Sequence, residues 1–144
     1  MMCKMSAMPP SDDQTKEKAN RQLRKLVDVG LYPGEAYDFV QQGLFFTVQK
    51  IHGAEPTPGV SRHISGADLC HGLREYAVSQ WGYMARTVLA RWNITRTLDF
   101  GTIVFSLIEI GHMQKTEHDT IDDFRNVYDF RTAFEREYRI EGAP

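Results

Sequence analysis

Cysteine is scarce in this chain: only Cys3 and Cys70 are present, far apart in sequence. No second Cys or His stands at zinc-binding spacing, which argues against a disulfide framework and a structural zinc site and suits a reducing compartment. Charge of one sign is missing as well. A formal net charge of −2 gives no overall basic footprint for nucleic acid or a membrane surface. No apolar run approaches the ~20 residues of a membrane span. The opening MMCKMSAMPP lacks the apolar centre of a secretory signal. No nucleophile, base and orienting group recur at an interpretable spacing. The sequence therefore assigns no catalytic residue, no metal ligand and no cofactor, and leans away from an enzyme. A cytoplasmic location is expected.

What is present is helical patterning. At 144 residues one domain is expected, long enough to bury a core without staples. Residues 1–14 read as a flexible tail, 15–138 as a single helical domain and 139–144 as a second tail. A first helix spans 15–29, with Ala19, Leu23, Leu26 and Val27 on one face. A second begins at Pro33, whose fixed φ suits the first helical position. Its inner face is Ala36, Val40, Gly43, Leu44, Thr47, Val48 and Ile51. Tyr37, Phe39, Phe45 and Phe46 make it more aromatic than a surface helix needs. Residues 53–62 read as a loop. Ser65 and Asp68 open a third helix with a capping-box pattern, which ends near Trp81. A short fourth covers 83–92. In the fifth, Phe100, Ile103, Val104, Leu107 and Ile108 share a face, Thr97 caps the start, Asp99 favours the dipole and Gly111 closes the end.

Beyond Gly111 the pattern weakens. Residues 112–116 and 124–130 read as two strands of a small hairpin, with a polar loop between and a final helical turn or two after. The fold class is thus mainly α: five helices, with a second half that could be winged-helix-like and carry a small C-terminal β-hairpin. The order helix, helix, turn, helix, hairpin is that of a DNA-binding winged helix. Its charge is wrong for the task. Residues 99–130 hold seven acids and two bases, facing a phosphate backbone that must be neutralised by cations. The alternative nucleic-acid contact is the basic first helix, through Arg21, Arg24 and Lys25.

Two clusters have the residue types of a chemical site. His63, Asp68, Cys70 and His71 are close in sequence, but Asp68 is accounted for by the cap, and Cys70 and His71 point different ways on a helix. His112, Glu117, His118 and Asp119 match no known metal loop and read as solvated. The remaining candidate is the acidic, aromatic tail. Glu117, Asp119, Asp122 and Asp123, interleaved with Phe124 and Tyr128, could dock on a basic, apolar partner surface. The opposing reading has the aromatics covering the core while the acids face water.

Several runs in order resemble a known family: YPGEAYDFV at 32–40, RHISG at 62–66, MARTVL at 84–89, DFGTIVF at 99–105, KTEHD at 115–119, DF at 123–124 and VYDF at 127–130. Together they resemble small uncharacterised proteins restricted to Verrucomicrobia and Planctomycetes. The chain departs from that pattern at Tyr83, where proline is expected, and at Asn93, where glycine is expected. The resemblance implies a cytoplasmic bacterial protein and carries no activity. The best functional expectation is a non-catalytic adaptor or regulatory domain that contacts a protein partner or a second copy of itself. Its motivation is the opposition between residues 15–98, with eleven bases against seven acids, and the acidic stretch after them. The alternatives are a winged-helix-like nucleic-acid binder and an enzyme with an unrecognised site.

Overall fold

The structure is a computed structural model, which describes residues 3–4, 13–53 and 63–134. Among the described residues there are five α-helices: α1 (Asp13–Val29), α2 (Gly34–His52), α3 (Gly66–Trp81), α4 (Ala85–Arg91) and α5 (Thr97–Glu109). Short 3-10 turns at Gly82–Met84 and Ile121–Phe124 lead into α4 and follow α5. A two-residue antiparallel pairing joins Cys3–Lys4 to His63–Ile64. The mainly helical expectation holds. Most of the 1–14 tail, the 53–62 loop after Gly53, and the chain from 135 onward, with the end of the expected 15–138 domain and the 139–144 tail, lie outside the described residues.

The hairpin does not form among the described residues, and the wing of a winged helix goes with it. The stretch expected as its second strand instead begins with the last residue of the 3-10 turn Ile121–Phe124. It then reverses at Asn126, where φ is 53°, and re-enters helix at residue 130. The physical reason is burial. Phe124, Phe130 and Phe134 all pack into the core, and the backbone that delivers Phe124 and Phe130 is committed elsewhere: the Phe124 carbonyl and Val127 N–H bond to the Thr97 hydroxyl, and Asn126 between them is left-handed, which an extended ladder does not allow.

Helix boundaries follow local chemistry. Pro33 lies just outside α2, as its N-cap, rather than in the first turn. Ser65 Oγ accepts the Asp68 backbone N–H at 3.0 Å, the forward half of the expected capping box. Thr97 is not the cap of α5: Arg96 occupies that position. The Thr97 hydroxyl turns inward instead, donating to the Phe124 carbonyl at 2.6 Å and accepting from the Val127 N–H at 3.1 Å. Asp99 does the capping from inside the first turn, accepting from the Thr95 N–H at 2.9 Å and the Arg96 N–H at 3.2 Å. At the other end of α5, Gly111 adopts φ 83°. His112 N–H then reaches the Leu107 carbonyl at 2.9 Å and Gly111 N–H the Ile108 carbonyl at 3.0 Å, a complete Schellman closure. The end of α4 repeats the device with Asn93 in the left-handed position, φ 65°, and Ile94 N–H bonded to the Leu89 carbonyl at 2.9 Å.

The core centres on α5, where Phe100, Ile103, Val104 and Leu107 are fully buried. Helices α2 and α3 press together through small residues. A Cβ on Gly72 would come within 2.7 Å of Thr47 Cβ, and one on Gly43 would collide with the Leu73 side chain. Thr47 is itself fixed, its hydroxyl donating to the Gly43 carbonyl at 2.7 Å. Ile51, expected on the inner face of α2, is 48% exposed, because the contact with α3 ends before it. Gly72→Ala should therefore lower stability by about 1–3 kcal/mol in urea unfolding, overpacking outweighing the gain in helix propensity. Gly34→Ala, whose nearest neighbour would lie 3.8 Å away, should be tolerated.

Candidate functional site: an aromatic groove on α2 and α3

Along its exposed side α2 presents Glu35, Asp38, Gln42, Phe45 and Gln49, spaced so that they form one stripe. Beside it α3 supplies Tyr76, Gln80 and its last residue, Trp81, while Trp92 follows the end of α4. Between them run two adjoining recesses. The wider, about 450 Å³, is walled by Phe45, Phe46 and Tyr76 and floored by the amides of Gln41, Gln42 and Gln49. The narrower, about 210 Å³, lies between Phe39, Tyr76, Trp81 and Trp92, with Glu35, Asp38, Gln42 and Gln80 around it. Gln42 and Tyr76 belong to both, and Tyr76 Oη donates to Gln42 Oε1 at 2.8 Å, joining the two helices across the groove.

Ring packing sets the shape of the narrow recess. Phe39 is buried and stands 5.4 Å from Trp81, 5.5 Å from Tyr76 and 5.9 Å from Trp92, measured between ring centroids. Trp81 and Trp92 meet at 80° with centroids 5.5 Å apart. Among the described residues, neither recess is lined by a Cys, Ser, Lys or His. The walls offer apolar faces, amide hydrogen-bonding groups and, at one end, two carboxylates. Sequence reading missed this groove as a site. Its signal was the surplus of aromatics on α2, but the partners on α3 and α4 are brought to it only by packing.

The residues expected to bind a partner are distributed differently. Phe124 is fully buried, its ring fitted against Gly66 and Gly101, where a Cβ on either glycine would approach it to 3.1 Å or less. Tyr128 is half-buried, stacked on Phe130 at 5.7 Å, and its hydroxyl donates to the Cys70 carbonyl at 2.8 Å. Asp119 is buried and accepts the Thr116 N–H at 2.6 Å. Asp123 is at the surface and caps the 3-10 turn, accepting the Thr120 N–H at 3.1 Å. Asp122 pairs with Arg125 at 3.1 Å, also at the surface, and Glu117 is exposed. Thus the aromatics of the tail serve the core, while Glu117, Asp122 and Asp123 are exposed. Arg21, Arg24 and Lys25 are all exposed on α1.

The two His-containing clusters do not come together as metal sites among the described residues. Cys70 is fully buried, and that burial pushes its thiol well above the ordinary range. His71 is exposed, its ring 5.5 Å from Tyr128. Burial likewise raises the Tyr128 phenol, with the Cys70 sulfur adding to the effect and the Arg74 guanidinium opposing it. Tyr32 is raised by burial and then by its hydrogen bond to Asp99 Oδ1 at 2.7 Å. Burial raises Tyr37 as well.

No helix among the described residues is long and apolar enough to cross a membrane. No family model matches the chain, and neither does any curated protein or solved structure.

Two outcomes follow from these placements. Phe124→Ala should cost about 3–5 kcal/mol in urea unfolding, whereas Glu117→Gln and Asp122→Asn should each stay within about 0.5 kcal/mol of the parent. The raised acid groups give an alkaline limit. Each is held protonated in the folded chain above the pH at which it ionises when unfolded, so its contribution is full below that pH and lost above it. Urea midpoints measured between pH 7 and 11 should fall once the pH passes the unfolded thiol value of about 8.5, and more steeply past the tyrosine value of about 10. Cys70→Ala should flatten the first part of the fall and Tyr32→Phe the second.

Proposed function

We propose that this chain is a non-catalytic protein-interaction domain that holds a segment of a partner in the α2–α3 groove. The observation that carries the reading is Phe45. It is 49% exposed on a helix whose opposite side is core, at the centre of an aromatic-walled recess. Leaving half of such a ring in water forgoes burial worth about 1 kcal/mol. Aromatic side chains of this kind are the usual anchors of protein contacts, and amides placed beside them add direction. The groove replaces the acidic tail as the centre of the interaction reading, since the tail's aromatic members are occupied in the core.

Random peptides displayed on phage, selected on the parent chain and counter-selected on Phe45→Asp, test this. The expected result is an enriched consensus whose affinity drops at least tenfold on the variant, with the thermal unfolding of the variant close to the parent's. Failure to enrich any consensus, or a consensus that binds both chains alike, would sink the proposal.

The rival reading, nucleic-acid contact by α1, has the exposed trio Arg21, Arg24 and Lys25 in its favour. It calls for binding of random-sequence DNA that weakens steeply with salt and is lost when all three become glutamine. An electrophoretic shift that is absent at low salt removes it.

A further inference from the structure

We infer that the Trp81–Trp92 corner is a binding site for an alkylammonium group, the lysine-type side chain of a partner segment lying in the groove. The inference rests on the groove reading above and deepens it by naming the chemistry that one end of the groove selects.

Three observations converge on a cation. First, the walls include four aromatic rings, two of them indoles. Trp81 and Trp92 are only half-buried and stand nearly perpendicular, at 80°, and the π-face of tryptophan attracts positive charge more strongly than that of tyrosine or phenylalanine. Secondly, Glu35 and Asp38 stand one turn apart on α2, exposed, and both line the recess. Among the described residues no cation is paired with either carboxylate. Thirdly, among the described residues no Lys, Arg or His lines the recess, so none of these opposes an incoming positive charge.

Size and shape narrow the class. At about 210 Å³ the recess is smaller than the ~300–1,000 Å³ usual for sites that enclose whole small molecules. It suits one side chain inserted from a longer segment. The two indoles, at 80° to one another, form no pair of parallel faces to sandwich a flat group, which a rounded ammonium head does not need. A flat guanidinium would stack on one of them and leave the other unfilled. The alkyl stem would lie toward Tyr76 and Gln42, the two residues shared with the wider recess. The corner and the Phe45 recess would then read neighbouring side chains of the same segment.

The chain is its own reporter. Its two tryptophans are the two that form the corner, so both indole N–H signals in a proton–nitrogen NMR spectrum report on this site. Tetramethylammonium chloride is the probe, and neopentyl alcohol its neutral counterpart of similar shape. Both indole signals should shift saturably with tetramethylammonium, and the affinity should fall as sodium chloride is raised. Glu35→Gln with Asp38→Asn should weaken it about fivefold, since exposed charge pairs contribute modestly. Neopentyl alcohol should bind at least tenfold more weakly than the cation. An absent or non-saturable shift, an equal response to the neutral probe, or unchanged affinity in the double variant would each overturn the assignment. The peptide selection separates this failure from that of the groove. A Phe45-dependent consensus in which lysine can become norleucine or arginine without loss would refute the ammonium site and leave the groove standing.

Discussion

Helices α2 and α3 meet with a glycine of each set opposite a side chain of the other. Gly43 faces Leu73, and Gly72 faces Thr47, so the two backbones approach more closely than alanine on either side would allow. This contact governs much else. It buries Thr47, whose hydroxyl is satisfied inside its own helix. It also fixes the separation at which Tyr76 reaches Gln42, and therefore the width of the groove on the outer side. Close-packed interiors transmit a change of one methyl group. A wider spacing here would move the groove walls as well as loosen the core.

A second constraint works through Asp99. Its carboxylate accepts two backbone N–H groups of the turn before α5 and the hydroxyl of Tyr32, which comes from the connection between α1 and α2. One side chain thus caps a helix and ties it to a distant segment. Asn93 makes a parallel tie: it closes α4 with a left-handed backbone while its side-chain amide donates to the Leu31 carbonyl at 2.7 Å. Glycine would suit that backbone equally well but could not make the bond. Both ties hold the start of α2 against the α4–α5 turn, near the end of the groove where Glu35, Asp38 and Trp92 converge.

The stretch after Gly111 shows how one segment can carry two kinds of residue for two purposes. Phe124, Phe130 and Phe134 go inward, and the backbone that delivers them is held by Thr97 and by acid side chains capping their own turns. Alternation of acid and aromatic residues is thus the pattern of a wrapping loop here. Much of its negative charge does local hydrogen-bonding work, which lessens what is left for a partner and shifts attention to α2 and α3.

The helices were legible in the sequence because their signals are local. Apolar residues at 3.6-residue spacing marked the buried faces of α2, α3 and α5. Ser65 and Gly111 marked ends, since capping involves only groups a few residues apart. Two features were decided by tertiary structure. Residues 112–130 have a weak alternation that suits a strand, but the burial of Phe124 against Gly66 and Gly101, and the Thr97 hydroxyl that takes the backbone beside it, outweigh it, and these partners are distant in sequence. Thr97 has the chemistry of a cap, yet its hydroxyl bonds to a segment about thirty residues on, leaving the capping to Asp99. The groove follows the same rule. The sequence supplied an over-aromatic α2, while Tyr76, Trp81 and Trp92 become its neighbours only when packing brings three helices together. Periodicity records which face of a helix leaves water, and it carries no record of which distant residue meets it there.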